Sequence, residues 1–352
     1  MPSSLRLGKS WLNLICLRIE RSPLIKHATL MKRSFLLITF ASLFVGSAVY
    51  SQKKKDTWID PLKTAEENPD FVIQGEYGIT KKGQDWAVQV VALGDGKFDA
   101  YILEGGFPGL GYTREKSKTK ISGTAADLKS GDGTIFGKIA GGKISVDKAG
   151  KPWIAFSKVK RASDTIGKKP DEGAVVLFDG TSADAWNKGE VADGLLRNND
   201  ISTKQKFKDY HLHLEFRTPF KPYARGQGRG NSGVYHQGRY ETQVLDAFGL
   251  EGEDNETGGI YKTAKPIVNM CLPPLEWQTY DVDFTAAKWD AEGKKTASAR
   301  ATVKLNGFLI HDDVEIPKPT GGGKPETSEP GPIFLQGHGN PVFYRNIWIV
   351  EK

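Results

Sequence analysis

Cysteine is nearly missing from this chain: 352 residues contain two. Cys16 lies in an N-terminal leader described below, so only Cys271 belongs to the body of the protein. One thiol closes no internal disulfide. Its surroundings, "NMCLPP", are apolar, which favours a buried, inert side chain over a reactive one. Other signatures are missing too. There is no H-E-x-x-H and no C-x-x-C, so no dedicated zinc site is signalled. No serine occupies a nucleophile elbow, which removes the usual Ser-His-Asp reading. Strong helical periodicity is scarce, and no repeat of solenoid period is visible.

A basic body is missing as well, although the formal charge is +7. Residues 1–51 hold seven basic side chains (Arg6, Lys9, Arg18, Arg21, Lys26, Lys32 and Arg33) against one acid, Glu20. The rest of the chain is therefore near +1 and offers no electrostatic case for nucleic-acid binding. The apolar run from Phe35 to Val49 falls short of the roughly 20 residues of a membrane span. From Met31, "MKRSFLLITFASLFVGSAVYS" has the basic start, apolar middle and small-residue end of a secretory signal peptide. The expectation is an upstream extension over residues 1–30, a start at Met31, a signal peptide over about residues 31–51, and a protein that is secreted, periplasmic or in the cell envelope. No stable membrane insertion is expected after cleavage.

Glycine is abundant, with 40 residues in the full chain, and aromatics make up 10% of it. Its length suits two unequal domains. A polar linker over 52–70 leads into a small β-rich domain over 71–161, with hairpin turns at Asp95-Gly96 and Gly141-Gly142. "ASDTIGKKPDEG" reads as a second linker. A larger domain over 174–352 then shows many short alternating strands, with a type I′ signal at Asn306-Gly307 and a flexible loop at "PKPTGGGKPETSEPG". The fold class is all-β: an antiparallel sandwich or jelly roll preceded by a small β-rich domain.

Several polar groups in the larger domain could carry chemistry. In "YHLHLEFRT", Leu212, Leu214 and Phe216 face one way and His211, His213, Glu215 and Arg217 the other. The two histidines could hold a metal with Glu215, but an exposed polar face is preferred for them. Glu215 and Arg217 suit either a sugar surface or a cross-strand ion pair. Gly228, Gly230 and Gly233 spell G-x-G-x-x-G, yet a strand follows where a dinucleotide site needs a helix. Arg225 and Arg229 in that loop are either solvated or substrate clamps. Tyr235, Gln237, Arg239, Glu241 and Gln243 share strand parity, and a β-bulge before Asp246 would add it to the same face. Glu241 and Asp246 would then suit paired acid and base work, or else decorate a solvated sheet. Gln336 and His338 share parity in "FLQGHGNP", with His338 accessible among glycines. Tyr261 and Lys262 stand beside two glycines.

Together these segments resemble a known family. "YARGQGRGNSGVYHQGRYETQVLD", "GGIYKTAKPIVNMCLPPLEWQTYDVDFTAA" and "GPIFLQGHGNPVFYRNIWI" look like the 3-keto-α-glucoside 1,2-lyase / 3-keto-2-hydroxy-glucal hydratase domain, also called 3-keto-disaccharide hydrolase. The resemblance covers about Ala174 to Glu351. It implies a concanavalin-like jelly roll acting on oxidised glycosides. Glu241-x-Gln243-x-x-Asp246 is also similar to the bulged E-x-D-x-x-E strand of laminarinase-type hydrolases, with the central acid replaced by Gln243. His236 stands where the resemblance leads one to expect an apolar residue. Under this reading Glu241 or Asp246 is the base and His338 the acid. Glu215, Arg217, Arg225, Asn231, Tyr235, Gln243, Tyr261 and Gln336 hold hydroxyls or the ketone. No particular cofactor is signalled, though a divalent cation could replace some of these donors. The expected partner is an oligosaccharide or glycoside. The competing functions are a non-catalytic carbohydrate-binding module and a conventional glycosidase.

Overall fold

The computed structural model describes residues 57–352. The leader expected over 31–51 lies outside the described residues. Among the described residues, no helix is long and apolar enough to cross a membrane.

The first eight strands close into an antiparallel barrel running from Gly75–Tyr77 to Lys151–Val159. Closure pairs Glu76 with Val159 and Tyr77 with Lys158. Alternation builds its core, because every second side chain of a strand points inward. Ile135–Ala140 alternates strictly between buried and exposed residues. Val88, Val90, Phe98, Ile102, Ile121, Ile144 and Val146 fill the interior. The Asp95-Gly96 turn has both residues at positive φ (55° and 69°), as a type I′ hairpin demands.

The segment expected as a polar linker over 52–70 instead carries two short helices, Pro61–Glu67 and Pro69–Ile73. Each begins with a proline, and Asp60 and Asn68 cap them by accepting backbone N–H groups. Phe220, from the larger domain, enters the barrel's apolar cluster with Leu275. It meets Trp58 and Phe71 ring to ring at 5.7 and 5.2 Å. The two parts therefore share hydrophobic packing rather than a bare tether.

The larger part is a two-sheet antiparallel sandwich. One sheet centres on Phe343–Glu351, Tyr210–Arg217, Gln278–Thr285, Ala299–Leu305 and Phe308–Ile316. The other has five strands in the order Trp186–Asn187, Ile201–Thr203, Phe334–Leu335, Ser232–His236 and Tyr240–Val244. Leu212, Leu214, Phe216, Val282 and Phe284 face Val234, Tyr240, Val244 and Leu335 across the core. Asn306-Gly307 forms a turn with φ of 55° and 82°.

The outer face of Tyr210–Arg217 is covered rather than solvated: His213 and Glu215 are buried, and His211 and Arg217 half-buried. Residues 163–168, expected as a turn-rich linker, lie across it. Ser163 Oγ and Thr165 Oγ1 meet Thr279 Oγ1 at 2.6 and 2.7 Å, and Thr165 Oγ1 donates to Asp281 at 2.9 Å. Gly167 N–H donates to Glu215 at 2.6 Å. His213 is fully buried, bonded to Asp281 at 2.8 Å and stacked on Trp348. Burial opposes its charge, but the carboxylates of Asp281 and Glu215 outweigh that and hold its pKa above the ordinary value.

Candidate active site

Ser232–His236 and Tyr240–Val244 form a hairpin in which Tyr235 pairs with Glu241 and Gly233 with Gln243. Val234, Tyr240 and Val244 go to the core. Parity then sends Tyr235, Glu241 and Gln243 to the opposite face. A cleft of about 300 Å³ opens there. Its walls bring together Asn231, Tyr235, Glu241, Gln243, Tyr261, Gln336 and His338, joined by Gln227, Gly321 and Gly322.

Glu241 lies at the centre of the geometry. Its carboxylate is buried and accepts the Tyr235 hydroxyl at Oε2, 2.9 Å away. Burial raises its pKa to about 7, with the tyrosine bond opposing. Burial, and then the facing carboxylate, push the Tyr235 phenol well above its usual range. Gly233 makes room for this arrangement, because a Cβ there would stand 2.1 Å from Glu241 Oε1. The backbone of the strand is fixed on its free side as well. Thr320 Oγ1 accepts Glu241 N–H at 2.8 Å, and Glu241 O accepts Tyr261 N–H at 3.0 Å.

A chain of amides lines one side of the cleft, and its polarity is forced. Val244 N–H donates to Gln243 Oε1 at 3.0 Å, which turns Gln243 Nε2 towards Gln227 Oε1, also 3.0 Å away. Gln227 Nε2 in turn donates to the Asn255 carbonyl at 2.7 Å. Asn231 must therefore offer its Nδ2 to Gln227 Oε1, at 3.1 Å. That leaves Asn231 Oδ1 as a buried acceptor with no protein partner. Gln336 Nε2 donates to the Tyr235 oxygen at 3.3 Å, and His338 is exposed at the rim.

Four residues expected in the site lie elsewhere. Asp246 is not brought into phase by a bulge, because the strand ends at Val244. Leu245 N–H and its carbonyl are both taken by the Thr257 hydroxyl, which leads the chain out of the sheet. Asp246 is fully buried and bound to Arg229 at 2.6 Å. Burial raises its pKa, and the Arg229 charge opposes the rise. Glu215 lies on the outer face of the other sheet, held by Arg345 at 2.6 Å and by Asn346. Arg217 donates to the Ile59 carbonyl and stacks over Trp277. Arg225 donates to Pro222, Ala224 and Leu93 carbonyls. Gln237 and Arg239 shared parity with Glu241 on paper, but they form the hairpin turn and bond to Phe207 and to residues 325–329. His236 faces the core, between Tyr210 Oη and Thr242 Oγ1 at 2.9 Å each, and burial lowers its pKa to about 3. It completes a buried hydrogen-bonded set and stands apart from the cleft. Cys271 is buried, its thiol pushed up to about 12 by burial first and the Asp246 charge second.

Gln227, Gly321 and Gly322 were missed. The glycine-rich loops that carry them read as flexible connections, and only the fold brings them over the sheet. As for a divalent cation, no group of three or more His, Cys, Asp or Glu suited to a metal occurs among the described residues. Glu241 is the one carboxylate lining the cleft, and amides, phenols and the His338 imidazole supply its other polar groups. That donor set does not fit the oxygen-rich, carboxylate-based cages that divalent ions prefer.

Residues 173–350 match the family model described as a 3-keto-alpha-glucoside-1,2-lyase-like domain. The chain belongs to this family. A candidate glycosyl hydrolase from Parabacteroides distasonis is 37% identical over 51% of this chain and 84% of its own, with a TM-score of 0.47. A second from the same organism is 20% identical over 51% of this chain and 94% of its own, with a TM-score of 0.38. An alginate lyase is 12% identical over 49% of this chain and 87% of its own, with a TM-score of 0.26. No curated protein matches the chain. Family membership makes the protein carbohydrate-active.

Proposed function

We propose that the cleft cleaves 3-keto-glycosides by elimination across carbons 1 and 2 and hydrates the resulting 3-keto-2-hydroxy-glucal. The observation that carries this reading is a solitary buried carboxylate with a pKa of about 7 in a polar cleft that holds no second carboxylate. Conventional glycosidases work with two carboxylates flanking the bond. Here Asp246 is locked to Arg229, and Gln243 supplies an amide. Elimination needs only one base, because a ketone at carbon 3 acidifies the proton on carbon 2.

Glu241 takes the carbon-2 proton, and the electron pair forms the enol while the bond from carbon 1 to the aglycone oxygen breaks. His338 gives that oxygen its proton. Water then adds across the double bond, its hydroxyl to carbon 1 and a proton to carbon 2. A base with a pKa near the working pH combines availability with driving force. Gln336 Nε2 is suited to the developing enolate oxygen, and Asn231 Oδ1 to a sugar hydroxyl that brings a proton. Tyr261 gives the sugar ring a flat wall.

The purified protein is to be incubated with a 3-keto-disaccharide, and the products weighed by mass spectrometry. The expected species are the free aglycone with the glucal or its hydrate, and Glu241→Gln lowers the rate roughly 10²- to 10⁴-fold. Binding without turnover would favour a carbohydrate-binding module, and equal turnover of unoxidised glycan a conventional glycosidase. Because Glu241 must be ionised to act, kcat/KM should rise with pH through about 7. With a leader over residues 31–51, this reading also implies export, which N-terminal sequencing of the processed protein would check.

A further inference from the structure

Glu241 and Tyr235 stand on strands, but two walls of the cleft stand on loops. Gln227 belongs to the segment before Ser232–His236, whereas Asn255 and Tyr261 belong to the long segment after Tyr240–Val244. A loop keeps a binding geometry only when something rigid holds it. Both walls are held by the barrel.

Arg114 lies between the barrel strands Lys97–Glu104 and Lys118–Thr124. Its Nη2 donates to the carbonyls of Gly252 and, at 2.8 Å, Pro266. Its Nε lies 3.1 Å from both the Pro266 and Ile267 carbonyls. One guanidinium thus ties together the two ends of the segment that carries Asn255 and Tyr261. Lys118 Nζ adds bonds of 2.8 Å to the Leu250 carbonyl and the Glu251 carboxylate. Beneath them Val91, Leu93 and Tyr101 of the barrel pack against Ala247, Phe248 and Leu250. On the other wall, Arg225 donates to the Leu93 carbonyl at 3.1 Å, and the Tyr223 hydroxyl to Asp95 at 3.3 Å. Both surfaces are cut for the contact. A Cβ on Gly94 would stand 2.4 Å from the Tyr223 ring, and one on Gly249 would stand 2.4 Å from Val91.

The geometry points to the barrel as the buttress that holds the loop walls of the sugar cleft, with Arg114 as a positioning residue. It holds segment 252–267 so that the Asn255 carbonyl can orient Gln227 and Gln243, and so that Tyr261 faces the ligand. The barrel is then not a separable binding module joined to a self-sufficient catalytic domain. This inference rests on the reading of the cleft as the sugar site.

The test uses the full chain with Arg114→Ala and Arg114→Lys, read by hydrogen exchange and by kinetics on a 3-keto-glucoside. In Arg114→Ala, amides of residues 250–262 should exchange faster while Trp86–Gly94 and Tyr210–Arg217 keep their protection. KM should rise roughly tenfold with kcat within about twofold, since binding groups move and Glu241 does not. Arg114→Lys should restore part of both, because one ammonium reaches one end of the segment but not both. Unchanged exchange at 250–262 together with an unchanged KM would overturn the inference, even if the melting temperature fell. If Arg114→Ala does not fold, Arg114→Lys decides by the same two readings. If the wild-type protein turns over no 3-keto-glycoside, the proposed reaction fails, while the exchange measurement still decides whether Arg114 holds the wall.

Discussion

Gly233 looks like one of many loop glycines, yet its role is spatial. A methyl group there would stand 2.1 Å from Glu241 Oε1, so the carboxylate keeps its buried place only because position 233 has no side chain. Gly233→Ala should leave the fold intact by circular dichroism and lower kcat roughly 100-fold, the scale of a base displaced by about 1 Å. The cost of holding Glu241 there should appear in stability. Its folded pKa of about 7 exceeds the ordinary 4.5, so the folded state binds more protons between those values and stability falls as pH rises through that window. Glu241→Gln should therefore be more stable than wild type above pH 7, by up to about 3 kcal/mol, and equal to it near pH 4, in urea titrations at the two pH values. Asp246 is also raised by burial, but it is paired with a buried cation. Asp246→Ala leaves the buried Arg229 guanidinium unpaired and should cost about 3–5 kcal/mol. Strand parity was enough to read Glu241 and Gln243 from the sequence. It could not place Asp246, because the strand is ended by the Thr257 hydroxyl thirteen residues past the point where the pattern was legible.

At the scale of the element, the strand Tyr210–Arg217 shows how far alternation carries. The two faces were legible, and Leu212, Leu214 and Phe216 do enter the core. What covers the polar face was not, because it is a segment of turn-rich composition whose backbone and hydroxyls satisfy the buried carboxylates. Glu215 is held well below its ordinary pKa, at about 2, although burial alone would raise it. Bonds from His213, Asn346, Gly167 N–H and Arg345 prevail. Glu215→Ala should therefore lower the melting temperature and loosen residues 163–168 in hydrogen exchange. The kcat and KM of the folded fraction should stay unchanged, since the cleft lies on the other sheet. A large rise in KM would return Glu215 to the sugar site. The short helices at 61–73 were hidden for a similar reason: their caps and prolines were present, but the helices are too brief to show a periodicity.

Over the whole molecule, two β structures share packing at Phe220 and Leu275, and the cleft draws its walls from loops that the barrel grips. The two-part all-β plan was legible from turn signals and alternation. The dependence of one part on the other was not, because it runs through backbone carbonyls that sequence does not mark. The chemistry proposed for the cleft differs from ordinary glycoside hydrolysis in one bond, that between carbon 2 and its hydrogen. The most direct measurement follows that bond, using a 3-keto-glucoside carrying deuterium at carbon 2 and cleaved in ordinary water. Elimination with Glu241 as base predicts that the sugar product loses the deuterium during cleavage, faster than in enzyme-free solution, and that Glu241→Gln slows cleavage and exchange together, by roughly 10²- to 10⁴-fold. Cleavage by the wild-type protein with the deuterium retained at carbon 2 would contradict the account.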